Sequence, residues 1–195
     1  MERDPIRLAI LLSGTGRTLL NLHERIVDGS LNARIHVVVS SRANALGMEH
    51  AKRLDLATCV VERKRLTDET FQARITKAVS GAELVCMAGF LSLWRIPDEW
   101  LGRVINIHPA LLPDFGGRGM YGRRVHEAVI AAGREESGCT VHFCDNEYDH
   151  GRIILQRKVR VLPDDTADAL AARVFEQECL AYVDAIRMIA DGRCV

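Results

Sequence analysis

The sequence predicts an α/β protein built on a mostly parallel, twisted sheet with helices on both faces. In the first half, nearly continuous apolar runs of strand length alternate with segments that have helical spacing. Strands buried on both faces by crossover helices have this pattern. The runs 138–145 and 152–161 are joined by a short polar loop, which predicts an antiparallel strand near the C-terminal half.

The individual elements follow from the apolar periodicity and from the residues that begin and end helices. In chain order we expect a strand at 6–14, a helix from Arg17 to about Asp28, a strand at 34–41, a helix at 45–54, a strand at 57–62, a helix opened by Thr67, strands at 83–90 and 103–108, a helix at 122–133, the two runs above, and a last helix between Thr166 and Gly192. Five parallel strands would then precede residue 109, as in a Rossmann-like sheet. A chain of 195 residues, 48% of them hydrophobic, is expected to form one domain over 1–195.

Composition excludes several classes of partner. Twenty-six basic residues balance 26 acidic ones, so no overall field attracts nucleic acid or an anionic membrane. The apolar runs are shorter than the roughly 20 residues of a bilayer span, and the N-terminal run is too short for a secretory signal. We therefore expect a cytoplasmic protein that acts on small molecules, as a monomer or a homodimer.

A glycine pair follows the first strand in "LLSGTGRTLLNL" and leads into a helix. Main-chain amides at a helix N-terminus bind phosphate, which makes Gly16, Arg17 and Thr18 a candidate phosphate site. A tight turn without a ligand is the alternative. Leu19 replaces the third glycine of the dinucleotide motif, and no Lys-Ser/Thr ending of a P-loop is present.

Asn106 and His108 end the fifth strand, and Pro109 follows them. Alternation along a strand puts both side chains on one side, at the carboxyl end where open α/β sheets bind ligands. An amide donor and a titratable imidazole would then face the same crevice. The alternative is that both are buried polar residues that satisfy loop backbone groups.

The loop "DNEYDHG" places Asp145, Glu147 and Asp149 between two strands. A carboxylate facing the imidazole of His108 would orient it and raise its pKa by charge pairing. The spacing does not decide which of the three faces it, and a solvated acidic turn is the alternative.

Several histidines and a cysteine lie in the same half of the chain, which raises the alternative of a metal site. These residues lack the paired spacing of a structural zinc site, so we expect no metal. They are His126, His142, Cys144 and His150.

Four segments together resemble the folate-dependent formyltransferases over essentially the whole chain. They are "SGTGRTL", "VCMAGFLSL", "INIHPALLP" and "GCTVHF" with the following "YDHGRIILQ". The resemblance implies transfer of the formyl group of 10-formyltetrahydrofolate, as co-substrate, to the primary amine of glycinamide ribonucleotide. It also implies no metal. Close alternatives are a formyltetrahydrofolate hydrolase, or a phosphometabolite-binding domain without activity.

The same resemblance assigns residues to the site. It implies that Asn106, His108 and Asp149 are catalytic, with Asn106 also contacting folate. Further implied are the ribonucleotide-binding residues Gly16, Arg17, Thr18 and Glu178, and the folate-binding residues Leu91, Ser92, Leu93 and Trp94. Thr18, His150 and Arg152 depart from the commoner family pattern.

Overall fold

Seven strands form the sheet of this protein, which a computed structural model describes over residues 4–194. In chain order the strands and helices are β1 (Ile6–Leu12), α1 (Arg17–Val27), β2 (Ala33–Ser40), α2 (Leu46–Arg53), β3 (Thr58–Val60), α3 (Asp68–Ala78), β4 (Leu84–Met87), β5 (Val104–His108), α4 (Arg123–Ala131), β6 (Glu136–Phe143), β7 (Ile153–Arg160) and α5 (Ala167–Ala190). The strand order is β3-β2-β1-β4-β5-β6-β7.

The pairing of the strands confirms the predicted mixed and mostly parallel sheet. β1 pairs in parallel with both β2 and β4, and β2 pairs in parallel with β3. β6 and β7 are antiparallel, with Thr140 opposite Gln156. Among the strands, the largest differences from the predicted bounds are at β3 and β4, which have half the length of the predicted runs 57–62 and 83–90.

The described residues group into two compact units, 1–105 and 106–195, with the boundary inside β5. The predicted single domain over 1–195 includes residues 1–3 and 195, which lie outside the described residues. In the first unit, residues 8–12 of β1 are fully buried. Leu19 and Leu22 of α1 and Phe71 and Ile75 of α3 are also buried, at the helical spacing that places them on one face.

The second unit is built on the β6–β7 pair, against which α5 packs. Its core includes Cys139 and Val141 from β6 and Val174 and Tyr182 from α5, all no more than 1% exposed. The N-cap of α5 is Thr166, as expected, since its hydroxyl accepts a hydrogen bond from the amide of Ala169. Among residues 4–194, no helix has the length and apolar character needed to cross a membrane.

Candidate active site

The last residues of β5 direct two polar side chains to one carboxylate. The Nδ2 atom of Asn106 donates to Oδ1 of Asp149 at 3.3 Å. The Nδ1 atom of His108 lies 3.4 Å from the other oxygen, Oδ2. Both side chains therefore lie on the same side of the strand, as the alternation predicted. His108 is buried, and Asn106 is half-buried.

Asp149 comes from the loop between β6 and β7, and the other acidic residues of that loop face elsewhere. The carboxylate of Asp145 accepts hydrogen bonds from the amide of Glu147 and from Nδ1 of His150, each at 2.8 Å. Glu147 is exposed. Of the three candidates that spacing left open, Asp149 is the one that contacts Asn106 and His108.

The glycine two residues after Asp149 is required by a close backbone approach. A Cβ atom at Gly151 would overlap the carbonyl oxygen of Phe143. The end of β6 and the residue before β7 are also hydrogen-bonded, because the amide of Phe143 donates to the carbonyl of Arg152 at 2.9 Å. The glycine of the Asp-X-Gly pattern is therefore required because the loop leaves no room for a side chain at this position.

Main-chain groups of the glycine-rich loop between β5 and α4 complete the contacts to His108 and Asp149. The Nε2 atom of His108 lies 2.8 Å from the carbonyl oxygen of Phe115. Because a carbonyl only accepts, Nε2 carries the hydrogen and Nδ1 faces Asp149. The amide of Gly117 donates to Oδ2 of Asp149 at 2.9 Å. Sequence reasoning missed these contacts because they are made by the backbone. The glycines of this loop were the one sequence feature that indicated a close approach of its backbone to the site. A Cβ at Gly116, for example, would lie 3.2 Å from Cβ of Asp149.

His142 also belongs to this site, although its sequence position suggested only a metal ligand. Its Nδ1 atom donates to the carbonyl of Phe143 at 2.9 Å. Its Nε2 atom therefore accepts from Nδ2 of Asn106, at 3.2 Å. Nε2 also lies 3.6 Å from Oδ1 of Asp149. Both hydrogens of the Asn106 amide are thus directed to acceptors, one on His142 and one on Asp149.

Burial dominates the protonation of His108. Burial lowers the pKa of His108, the charge of Asp149 and the Phe115 carbonyl raise it, and nearby His142 lowers it again; the net pKa lies below the ordinary value. The charge of Asp149 does raise this pKa, as expected, but the net shift is downward because loss of solvent around an imidazolium costs more than the carboxylate returns.

Asp149 stays ionised in the same surroundings. Burial raises the pKa of its carboxyl, but His142, the charge of His108 and the Gly117 amide lower it by more. The net pKa lies below the usual range for Asp. The site therefore combines a carboxyl group whose ionised form is favoured with an imidazole whose neutral form is favoured.

The other histidines do not assemble a metal centre. Within residues 4–194, no group of three or more His, Cys, Asp or Glu side chains is arranged to hold a metal ion. His126 is buried, and its Nδ1 atom has no hydrogen-bond partner among the described residues. Burial, followed by the charge of His108, lowers its pKa.

A polar strand end, a titratable imidazole and a loop carboxylate are thus held together. The family model for "formyl transferase" matches residues 6–186 of this chain. The chain belongs to the formyl transferase family.

Individual members of the formyl transferase family cover most of the chain. Phosphoribosylglycinamide formyltransferase of Haemophilus influenzae is 32% identical over 195 residues, covering 96% of this chain and 88% of that protein. The chloroplastic phosphoribosylglycinamide formyltransferase of Arabidopsis thaliana is 37% identical over 96% of this chain. The chain spans 66% of that protein and 14% of the trifunctional purine biosynthetic protein of Drosophila melanogaster.

Solved structures agree with the family assignment. Glycinamide ribonucleotide transformylase 1 from Symbiobacterium toebii superimposes with a TM-score of 0.90 at 34% identity, covering 98% of this chain and 91% of that one. Phosphoribosylglycinamide formyltransferase from Brucella melitensis gives a TM-score of 0.86 at 34% identity, covering 95% and 96% of the two chains.

The residues that the family resemblance assigns to the ribonucleotide lie partly in the first unit. Gly16 has φ +77°, and a Cβ there would lie 2.5 Å from Cα of Gly47. Only glycine fits this turn at the start of α1. Arg17 is exposed and Thr18 is half-buried. In the second unit, Glu178 lies on α5 near Cys139, whose thiol pKa is raised to about 12 by burial and then by the Glu178 charge.

The segment assigned to folate follows β4 in the first unit. The amide of Leu91 donates to the hydroxyl of Ser13 at 3.0 Å, which joins this segment to the end of β1. The side chains of Leu91 and Leu93 are exposed, and Ser92 is half-buried. Trp94 differs: it is 1% exposed, and its indole donates to the hydroxyl of Thr76 at 3.3 Å. The indole is therefore part of the core of this unit rather than of its surface.

Proposed function

We propose that this protein is a phosphoribosylglycinamide formyltransferase of de novo purine synthesis, which moves the formyl group of 10-formyltetrahydrofolate to the primary amine of glycinamide ribonucleotide. The supporting observation is the convergence of Asn106 and His108 on the carboxylate of Asp149, in a chain of the formyl transferase family. Relatives that carry this name cover nearly all of the chain.

Asn106 has the donor that the reaction needs. Attack of the amine on the formyl carbon produces a tetrahedral intermediate with a negatively charged oxygen and a cationic nitrogen. The Asn106 amide, which is directed to His142 and Asp149 in the free protein, turns one hydrogen to this oxygen. A side-chain donor of this kind contributes about 3 kcal/mol to the transition state.

His108 and Asp149 act on the negatively charged oxygen of the same intermediate. The imidazole has a low pKa in the free site, so its proton affinity rises chiefly when the oxyanion forms beside it. This makes its stabilising charge selective for the intermediate. The imidazole takes its proton from water as the oxyanion forms and returns it when the intermediate collapses. Asp149 balances the imidazolium and, through water, assists transfer of the proton from the attacking amine to the leaving folate nitrogen.

Substrate binding in this proposal follows the residues that the family resemblance implies. Gly16, Arg17 and Thr18 hold the ribonucleotide phosphate at the start of α1, and Glu178 contacts its ribose. Leu91, Ser92 and Leu93 line the folate site together with Asn106, and the buried Trp94 supports this segment from the core. The reaction requires small-molecule partners and no metal, and we place the protein in the cytoplasm, as a monomer or homodimer.

The deciding experiment follows formyl loss from 10-formyltetrahydrofolate by absorbance, with and without glycinamide ribonucleotide. The proposal expects turnover only with the ribonucleotide present, together with formylated ribonucleotide as product. Turnover without the ribonucleotide would instead indicate a formyltetrahydrofolate hydrolase. Ribonucleotide binding without turnover would indicate a binding domain.

A further inference from the structure

Residues 114–117, here called the contact segment, touch both ionisable members of the site. The carbonyl of Phe115 accepts from Nε2 of His108, and the amide of Gly117 donates to Oδ2 of Asp149. The position of this segment therefore sets which imidazole nitrogen carries the hydrogen in neutral His108 and how Asp149 is oriented.

The backbone at Phe115 does not adopt its position by intrinsic preference. Its φ is +56°, in the left-handed region that residues with a bulky side chain rarely occupy. Such a conformation persists where the surrounding structure holds it in place. A tether is therefore expected on residues 114 and 115.

Arg134 provides that tether through two contacts. Its Nη2 atom donates to Oδ2 of Asp114 at 2.8 Å. Its guanidinium also lies 5.6 Å from the centroid of the Phe115 ring, within the range of a cation–π contact. One side chain thus holds two consecutive residues, the second of which supplies the carbonyl to His108.

Arg134 is itself anchored by the end of α4. Its amide donates to the carbonyl of Val129 at 3.3 Å, and the amide of Gly133 donates to the carbonyl of Ile130 at 2.9 Å. Gly133 has φ +61°, the left-handed conformation that commonly ends a helix. The backbone that carries the guanidinium is therefore fixed to the C-terminal end of α4.

We propose that Arg134 is a positioning residue for the active site, which holds the Phe115 carbonyl against Nε2 of His108 so that Nδ1 faces Asp149. This inference rests on the proposed function for its kinetic consequence, but not for its structural one. The Arg134 and Asp114 side chains are 53% and 55% exposed, and exposed pairs interact weakly, so the effect on kcat is modest, about three- to tenfold.

The test compares Arg134→Ala and Arg134→Lys with a matched control. Arg193→Ala removes an ion pair of similar length and exposure in the same unit, 2.7 Å from Asp191 with side chains 60% and 49% exposed. Histidine-labelled protein is examined by ¹⁵N–¹H NMR, with the His108 signal assigned from its loss in His108→Gln. We expect a single Nε2–H form of His108 in the wild type and in Arg193→Ala, and mixed forms in Arg134→Ala.

Kinetics provide the second measurement. In Arg134→Ala, kcat should fall about three- to tenfold with both KM values within about twofold of wild type. The limb of the pH profile due to His108 should move to lower pH, because the Phe115 carbonyl raises the pKa of that imidazole. Arg134→Lys keeps the charge but not the planar group, and should give an intermediate result.

An unchanged His108 NMR signal in folded Arg134→Ala would overturn the proposal, and so would an equal change in Arg193→Ala. If the wild-type protein fails to formylate the ribonucleotide, the proposed function is wrong. The NMR comparison still decides the role of Arg134 in that case.

Discussion

The Nδ1 atom of His108 lies 3.4 Å from Oδ2 of Asp149, although one residue ends a strand and the other lies in a loop between two later strands. The geometry orients the imidazole toward a carboxylate, yet burial still leaves the pKa of His108 below its ordinary value. In the proposed function, the pair stabilises a charge that appears during the reaction rather than one that is present beforehand.

Replacing Asp149 with Asn tests this pair. The amide preserves the shape but removes the negative charge, so we expect kcat to fall by about 10² to 10⁴. Asp145→Asn, in the same loop, is the matched control, because its carboxylate is bonded to His150 and not to the site. Steady-state rates with both substrates make the comparison, and equal losses in the two variants would contradict the assignment.

Gly151→Ala should destabilise the second unit. The new Cβ would overlap the carbonyl oxygen of Phe143, so the β6–β7 connection must shift, at a cost of about 1–3 kcal/mol in the free energy of unfolding. Urea denaturation measures this cost. Gly14→Ala is the control, since no atom lies within 4 Å of its added Cβ. A midpoint unchanged from wild type would show that the close approach is not rigid.

Two buried imidazoles predict the pH dependence of stability. Burial lowers the pKa values of His108 and His126 below 6.5. The unfolded chain therefore binds more protons than the folded protein at acidic pH. The free energy of unfolding should then fall as pH decreases from about 6.5 through the folded-state pKa values.

Denaturation at about pH 7.5 and about pH 5.5 measures that loss, and His126→Gln should reduce it. His150→Gln is a contrasting control. The pKa of His150 is raised by its hydrogen bond to Asp145, then by the charges of Glu147 and Asp145. It contributes stability at low pH that is lost as pH rises through its folded-state pKa, so its removal should steepen the acid loss. A His126→Gln profile identical to wild type would contradict the prediction.

Arg17→Ala tests the proposed phosphate site. Loss of a charged hydrogen-bond donor to phosphate should raise the KM for glycinamide ribonucleotide roughly tenfold or more, and leave kcat near wild type. Arg25→Ala, at the other end of α1, removes a guanidinium that is paired with Asp28 at 3.0 Å and should leave this KM unchanged. A fall in kcat without a change in KM would place Arg17 in another role.

Much of the fold followed from patterns along the chain. The β-strands of the first half appear where apolar runs were found, because burial on both faces demands such runs. The helix caps at Thr67 and Thr166 were also predictable, since each hydroxyl accepts a hydrogen bond from an amide three residues on. The ends of β3 and β4 were not, because an apolar run does not show where the register with the neighbouring strand stops.

The sequence by itself determined the alternation of strands and helices, and the placement of Asn106 and His108 on one side of β5. Its motifs pointed to Asp149 only through the resemblance to a family. Tertiary structure alone decided that Phe115 and Gly117 supply backbone groups to the site and that His142 joins it. It also decided that the pKa of His108 is lowered rather than raised. Hydrogen bonds across the fold and loss of solvent depend on distances between segments far apart in the chain, which local pattern does not contain.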